Sequence, residues 1–225
     1  WKHKAVDNNK GNLKKQIEAV IKPALTMYRF QTLGEFRALL SLYNIGIEEV
    51  KGERNGQPYR GLLYTALDDN KKKAEVTPLK SSLFGKNYGY DALEMHLERS
   101  GERIAKDNNR DHTRHRLAEA FLEAPTENAL RERLKAYHID LYLRRNDTGR
   151  IVGVTFIDHE NRCVLNGSRL GKEYSANALN ERYREAQNAG ADLQQLSDAP
   201  VQQKAAVKKV PNRKKIKPNR KRGVN

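Results

Sequence analysis

The chain has 225 residues, of which 37% are hydrophobic, and it carries a formal net charge of +15 at pH 7. The length suits one large domain or two small ones, and no apolar run approaches the ~20 residues that cross a membrane. Cys163 is the only cysteine, which excludes an internal disulfide and a zinc site built from cysteines. These features predict a cytoplasmic protein with a modest core and no membrane partner.

Residues 1–30 are expected to form a leading helix. Leu13, Ile17 and Ile21 recur at helical spacing, and Pro23 should kink or end the helix. The first residue is Trp1 rather than Met, so we expect the chain to be a piece of a longer product.

A first unit is predicted at residues 31–100. Thr32 is a candidate N-cap with Glu35 three residues later, which is the pattern of a capping box. A helix with an apolar stripe follows, then two strands joined by a turn at 54–56, where Asn and Gly suit a hairpin. The phrase KSSLFGKNYGYDAL at 80–93 leads into a closing helix.

A charged helical connector is predicted at residues 101–125, with a break at 107–109. It carries His112 and His115, whose spacing places both on one helix face. No Glu-x-x-His pattern or cysteine accompanies them, and basic residues surround them. A solvated charged helix is therefore favoured over a metal site.

A second unit with the same order of elements is predicted at residues 126–187. Thr126 is its candidate cap, residues 139–143 alternate apolar and polar side chains, and residues 151–157 are largely apolar on both faces. Turns are expected at 146–149 and 158–161, and a third strand at 162–166. The phrase NGSRLGKEYSANAL at 166–179 leads into the closing helix.

The two units match each other in three blocks. Residues 32–47 align with 126–141, 59–64 with 151–156, and 82–93 with 168–179, where six of twelve residues are identical. The agreement in order and residue type indicates an internal duplication. The sequence therefore predicts an α+β fold of two related α-β-β-β-α units with antiparallel sheets, followed by a disordered basic C-terminal tail.

The predicted tail comprises residues 188–225, and its charge lies at the end. Residues 204–225 contain ten Lys or Arg and no Asp or Glu, so this segment cannot bury enough apolar surface to fold alone. Basic arms of this kind neutralise phosphates, although a merely solubilising tail is the alternative. The residues expected to bind DNA are Lys208, Lys209, Arg213, Lys214, Lys215, Lys217, Arg220, Lys221 and Arg222.

The repeated Gly-Lys phrase invites comparison with the phosphate-binding P-loop but does not satisfy it. Three residues instead of four separate Gly167 from Gly171, and a glutamate follows Lys172 where Ser or Thr is required. A glycine turn entering a helix N-terminus would nevertheless present backbone N–H groups to a phosphate.

Two interpretations of these corners remain open. In the first, basic side chains around the turns hold DNA phosphates without reading the base sequence; they are Lys80, Lys86, Arg150, Arg169 and Lys172. In the second, the turns are structural, and the residues that shape them are Gly85, Gly171, Ser82 and Ser168.

No active site is evident from the residues. The Asp-His-Glu sequence at 158–160 falls where a hairpin turn is expected, Ser168 has no evident base, and Cys163 is expected to pack in a strand.

Three stretches of the chain carry a family resemblance: YNIGIEEVKGERNGQPYRGLLYTAL, SSLFGK and GRIVGVTFIDHENRCVLNGSRLGKEYSANAL. They resemble the C-terminal, post-nuclease portion of a family of bacterial relaxases, the mobilisation nucleases of mobilisable plasmids and conjugative elements. The resemblance covers residues 12–180. It implies that a nuclease domain precedes this chain, in which a tyrosine attacks the phosphodiester and a histidine cluster holds a divalent metal.

The catalytic motifs of that family do not carry over. The pattern of two histidines around one bulky residue does not occur here, and no tyrosine can be matched to the nucleophile. The resemblance therefore implies no catalytic residue, no metal ligand and no cofactor in this chain.

The resemblance implies the non-catalytic, DNA-handling portion of a mobilisation relaxase, which supports origin nicking and single-strand DNA transfer in conjugation. Its expected partner is single-stranded or origin DNA. The alternative is a protein-interaction module that docks relaxosome accessory proteins or the coupling protein of the secretion channel. A metal-dependent nuclease activity of the chain itself is the least favoured interpretation.

Overall fold

The computed structural model describes residues 4–122 and 124–197, with side chains as far as residue 188. Disorder is predicted for the tail at 188–225, but residues 188–197 belong to the last helix, which ends at Ser197. The rest of the tail lies outside the described residues. The described part combines helices with two antiparallel sheets, which is the predicted α+β class.

The longer helices and the strands follow one another in chain order. They are α1 Leu13–Met27, α2 Leu33–Ser41, β1 Ile45–Arg54, β2 Gln57–Ala66, β3 Leu79–Lys80, α3 Tyr90–Lys106, α4 Asn109–Leu122, α5 Glu127–Ala136, β4 Ile139–Arg145, β5 Ile151–Asp158, β6 Cys163–Asn166, α6 Gly167–Leu170 and α7 Ala176–Ser197. Three 3-10 turns lie between them, at Ser81–Phe84, Lys86–Tyr88 and Lys172–Tyr174.

The strands form two antiparallel sheets, ordered β1-β2-β3 and β4-β5-β6. In the first sheet the long hairpin pairs Ile45 with Ala66 at one end and Arg54 with Gln57 at the other. Each sheet is preceded by a helix, α2 or α5, and followed by another, α3 or α7. The prediction of two related α-β-β-β-α units is therefore confirmed, with the third strand of unit 1 reduced to two residues.

The sequence predicts a helix break at 107–109 and a kink or an end of the first helix at Pro23. The break predicted at 107–109 is present, because α3 ends at Lys106 and α4 begins at Asn109, with Asn108 between them at φ 52°. Pro23 does not end α1, which continues to Met27. α3 continues to Lys106, six residues past residue 100, where the first unit is predicted to meet the connector.

Equivalent residues make equivalent contacts in the two units. In unit 1, Arg37 Nε on α2 donates to the carbonyl of Ile47 on β1, 3.1 Å away. In unit 2, Arg131 on α5 donates to the carbonyl of Leu141 on β4. Both pairs are offset by 94 positions, as in the first sequence block. The repeat therefore extends from residue types to the hydrogen bond that ties each leading helix to its first strand.

The apolar cores of the two units meet. The first core comprises residues of α1, α2, β1 and β2, and it also contains Ile157 and Val164 from the second sheet. The second core comprises residues of α4, α5, the second sheet and the helices that follow it, together with Ile104 of α3. Both Ile157 and Val164 are fully buried, so each unit depends on the other to cover part of its apolar surface.

The segment between α1 and α2 covers the outer edge of β6. The N–H of Arg29 donates to the carbonyl of Arg162, and the N–H of Val164 donates to the carbonyl of Arg29, both at 2.9 Å. Arg29 thus forms a parallel bridge with Cys163. An open sheet edge is prone to unwanted pairing, and here a segment from unit 1 occupies it.

Glu35 joins the two units through a fully buried carboxylate. Its Oε2 atom accepts the N–H groups of Gln31 and Thr32, at 2.6 and 3.1 Å, which completes the predicted capping box of α2. Its Oε1 atom accepts the N–H of Asn166, 3.0 Å away, where β6 meets α6. The helix cap of one unit is therefore also the hydrogen-bond acceptor for the other.

Asp158, also fully buried, has a similar linking role within unit 2 and the connector. Its carboxylate accepts hydrogen bonds from the Thr113 hydroxyl and Arg116 on α4, at 2.8 and 3.3 Å. It also accepts the N–H groups of Glu160 and Asn161, which shape the β5–β6 turn. Asp158, the first residue of the turn predicted at 158–161, thus attaches α4 to the second sheet.

Replacing Glu35 by Gln should lower the free energy of unfolding by roughly 1–3 kcal/mol, because one acceptor oxygen becomes an NH₂ group facing a buried N–H. Urea denaturation of the full chain measures the change. Glu132→Gln is the matched control, since that side chain is 71% exposed and should change stability by less than about 0.5 kcal/mol. Equal effects from the two variants would contradict the linking role of Glu35.

Candidate nucleic-acid interface

Each Gly-Lys phrase forms two short turns followed by a long helix. In unit 1 a 3-10 turn ends at Phe84, Gly85 follows, and a second 3-10 turn leads through Gly89 to α3. In unit 2, α6 is followed by Gly171, a 3-10 turn and α7. The Gly-Lys pair therefore lies one 3-10 turn before the helix N-terminus and not at it, which corrects the expected phosphate corner.

The helix N-termini themselves differ between the units. Ser175 Oγ accepts the N–H of Ala178, 3.3 Å away, in the first turn of α7. Gly89, at the start of α3, offers no side-chain cap. The two corners are consequently not equivalent as anion sites, because one of them already satisfies an N–H group internally.

Four apolar residues of the two phrases pack inward, whereas Leu83 is exposed. Phe84, Leu170 and Tyr174 are buried, and Tyr88 is partly buried against the first core. Lys86 and Lys172, which occupy equivalent positions in the two phrases, are exposed. These buried residues shape the turns, whereas the lysines of the two phrases are accessible on the surface.

The glycines of the phrases have different roles. Gly85 has φ 108°, a region that strongly favours glycine, as a structural role requires. Gly171 has φ 167°, which is extended backbone open to any residue, so its φ does not require glycine. A Cβ atom at Gly167 would lie only 2.1 Å from the carbonyl oxygen of Tyr174. Sequence reasoning did not single out Gly167, the glycine that the close backbone approach requires.

The five basic residues predicted in the body have different surroundings. Lys80, Lys86 and Lys172 are exposed. Arg150 is exposed and donates to Asn177 Oδ1, 2.9 Å away. Arg169 donates to the side-chain oxygen of Gln31 and lies 3.8 Å from Glu35, so it contacts unit 1 across the junction.

Ser82 and Ser168 are exposed, and the carbonyl of Ser82 accepts the N–H of Gly85. The nine basic residues predicted in the tail lie outside the described residues.

Two adjoining grooves, here named the arginine grooves, lie at the hairpin end of unit 2. One has a volume of 480 Å³ and is lined by Arg145, Arg150 and Arg184. The other has a volume of 580 Å³ and is lined by Arg144 and Arg150, together with Ser168. Arg150 lines both grooves, so the two grooves adjoin at this residue.

Local hydrogen bonds hold several of these guanidinium groups in place. Arg145 Nη1 donates to the carbonyl of Gly149, 2.7 Å away, and Nη2 donates to Glu127. Among the described residues, Glu127 is the one carboxylate that lines either groove, and Arg131 also binds it. The surface is therefore strongly positive.

Sequence reasoning found Arg150 but missed Arg144, Arg145 and Arg184. A signal was present, because Arg144 and Arg145 end β4 just before the predicted turn and Arg150 follows it. Antiparallel pairing brings the two sides of such a turn together. Arg184 comes from α7, and no sequence pattern placed that helix beside the hairpin.

A hydrogen-bonded chain of three side chains crosses the junction near the β5–β6 turn. The Tyr28 hydroxyl lies 2.5 Å from His159 Nδ1, and His159 Nε2 lies 2.8 Å from Asp140 Oδ2. Such a chain resembles those that activate nucleophiles, but burial raises the pKa of Tyr28 and keeps its phenol protonated. Its observed effect is to attach the end of α1 to unit 2.

The histidine pair of the connector is solvent-exposed. His112 and His115 lie on α4, and His115 Nε2 is 3.6 Å from the carboxylate of Glu119. In the described part of the chain, no group of three or more His, Cys, Asp or Glu is arranged to hold a metal ion. None of the helices described there combines the length and the apolar character that spanning a bilayer requires.

Comparison of the chain with protein-family models, with curated proteins and with solved structures finds no match in any of the three.

The Gly-Lys phrase of unit 2 should tolerate alanine at one glycine and not at the other. Gly167→Ala should lower stability by roughly 1–3 kcal/mol, because the new methyl group meets a backbone carbonyl that cannot move alone. Gly171→Ala should change it by less than about 1 kcal/mol, since its Cβ meets only the movable carboxylate of Glu173. Calorimetric melting of both variants tests this order, and a reversed order would contradict the structure.

Cys163 should react slowly with thiol reagents while the protein is folded. Burial, followed by the charge of Asp158, raises the pKa of its thiol to about 12, so little thiolate forms at pH 8. Reaction with a chromogenic disulfide at pH 8 should be slow in buffer and fast in guanidinium, which unfolds the chain. Equal rates in the two conditions would show that the thiol is accessible in the folded state.

Proposed function

We propose that this chain is the non-catalytic, DNA-handling portion of a mobilisation relaxase, acting in the bacterial cytoplasm. In this role it supports nicking at the transfer origin and the transfer of single-stranded DNA. The resemblance of residues 12–180 to the post-nuclease portion of such relaxases supports the proposal. In the relaxases that the chain resembles, the nucleophile and the divalent metal of the nicking reaction belong to the nuclease domain and not to the portion proposed here.

The arginine grooves are the observation that carries the proposal. Four arginines line the two adjoining grooves, and a single described carboxylate, already bound by two arginines, lies among them. Arginine binds phosphate oxygens through paired N–H donors and remains charged at every physiological pH. A surface of this composition suits a run of backbone phosphates.

The proposed contacts position DNA and do not read its sequence. Phosphate contacts fix the register and orientation of a strand, whereas base edges carry sequence information. The exposed Lys172 precedes α7 in the same unit, outside the lining of the grooves. The tail at 204–225, with ten basic residues, would add further affinity of the same kind.

Charge reversal in the arginine grooves tests the proposal. The triple variant Arg144→Glu, Arg150→Glu, Arg184→Glu should bind a single-stranded oligonucleotide at least tenfold more weakly. The slope of log affinity against log salt should fall by about 2, because each lost phosphate contact removes roughly 0.7–0.9. Fluorescence anisotropy of the full chain over a salt series measures both quantities.

The matched control reverses the same number of charges elsewhere. Lys14→Glu, Lys15→Glu, Lys22→Glu changes exposed positions of α1 and alters the net charge equally. Its salt slope should stay close to that of the unchanged chain. Equal losses in the two variants would show that only overall charge matters, and the absence of any loss would favour the protein-interaction alternative, in which the body docks accessory or coupling proteins.

A further inference from the structure

A separate cleft lies between the two units, away from the arginine grooves. It is named here the interunit cleft and has a volume of 640 Å³. The end of α1 and residue 29 form one wall, α3 forms a second, and the β5–β6 turn forms a third. Because its walls come from both units, a ligand that spans the cleft contacts both of them.

Positive charge dominates the walls of the interunit cleft. Four arginines line it, against two carboxylates, those of Asp107 and Glu160. Arg29 pairs with Asp107, and Arg116, from outside the cleft, pairs with Glu160 at 2.9 Å. The carboxylates are thus neutralised. Of the four arginines that line the cleft, three make no ion pair with any described carboxylate: Arg99, Arg103 and Arg162.

These three arginines approach the cleft from two directions. Arg99 and Arg103 are four residues apart on α3, so they lie on the same face of the helix. Arg162 belongs to the β5–β6 turn, where its backbone adopts φ 50°. A left-handed conformation is unfavourable for arginine and is maintained here by the turn that Asp158 anchors. The arginines therefore belong to ordered elements.

Polar groups and a histidine complete the cleft. Ser100 and Asn109 line it and are 3% and 6% exposed. Burial lowers the pKa of His96, and the nearby charges of Arg103 and Arg99 lower it further, although a backbone hydrogen bond to Tyr28 opposes them. The field of the arginines thus reaches the histidine.

We propose that the interunit cleft binds a phosphate group through Arg99, Arg103 and Arg162. The ligand is either a backbone phosphate of single-stranded nucleic acid or a free phosphoanion, since both present the same oxygens to guanidinium groups. A bound phosphate joins α3 of unit 1 to the β5–β6 turn of unit 2. Binding therefore stabilises the folded arrangement of the two units by mass action.

The first arm of the test uses pyrophosphate and the full chain. At a concentration roughly 100-fold above Kd, and with ionic strength matched by sodium chloride, Tm should rise by about 5 °C. Arg99→Gln, Arg103→Gln should abolish this rise, and Arg99→Lys, Arg103→Lys should restore part of it. The control Lys51→Gln, Arg54→Gln, on the β1–β2 hairpin, should retain it.

The second arm uses a single-stranded oligonucleotide, and the two arms together identify the source of the phosphate. A pyrophosphate effect that Arg99→Gln, Arg103→Gln removes indicates a free phosphoanion. Loss of oligonucleotide affinity alone in that variant indicates a nucleic-acid phosphate. If neither response differs from that of the control, the proposal is overturned.

The pKa of His96, which lines the cleft, is a further readout. A bound dianion should raise this pKa because it stabilises the protonated imidazole. Proton NMR titration of the histidines with and without pyrophosphate, with His96→Gln for assignment, measures it. The cleft proposal is independent of the arginine grooves. Arg144→Glu, Arg150→Glu, Arg184→Glu should leave the pyrophosphate effect intact, so either proposal can fail while the other stands.

Discussion

The buried carboxylate of Glu35 is the constraint on which the relative placement of the two units depends. One oxygen caps α2, and the other accepts the N–H of Asn166 at the start of α6. A buried carboxylate is stable only when donors replace the water it has lost, and here unit 2 supplies one of them. Moving the units apart would leave the carboxylate short of a donor, so the geometry of their junction, including the interunit cleft, is tied to this contact.

The duplication is symmetric in the order of elements and asymmetric in packing. Both leading helices send an arginine to a carbonyl of the first strand of their own unit, through Arg37 and Arg131. The position equivalent to Glu35 is Ala129, however, so α5 has no carboxylate at the position from which Glu35 reaches the other unit. The edge of β6 receives the segment at Arg29, and two apolar residues of unit 2 join the core of unit 1. The two units therefore share the order of their elements but differ in the contacts that they make with each other.

Positive charge is distributed over two kinds of surface with different consequences. The arginine grooves lie within unit 2, so a strand bound there need not affect the junction between the units. The interunit cleft is built from both units, so an anion bound there favours their packed arrangement. Arg169, which the sequence alone placed among DNA-binding residues, contacts Gln31 and lies near Glu35. One basic residue of the second Gly-Lys phrase, Arg169, therefore contributes to the contact between the two units.

The sequence by itself determined the local structure: the α+β class, the order of elements, the capping box of Thr32 and Glu35, and the buried residues of the Gly-Lys phrases. These follow from periodicity and turn chemistry over a few neighbouring residues. Only the tertiary structure decided which side chains meet across the junction and around the arginine grooves. Arg184 lies 34 positions after Arg150 in the chain but lines the same groove. Such meetings depend on how helices and sheets pack, which residue spacing along the chain does not encode.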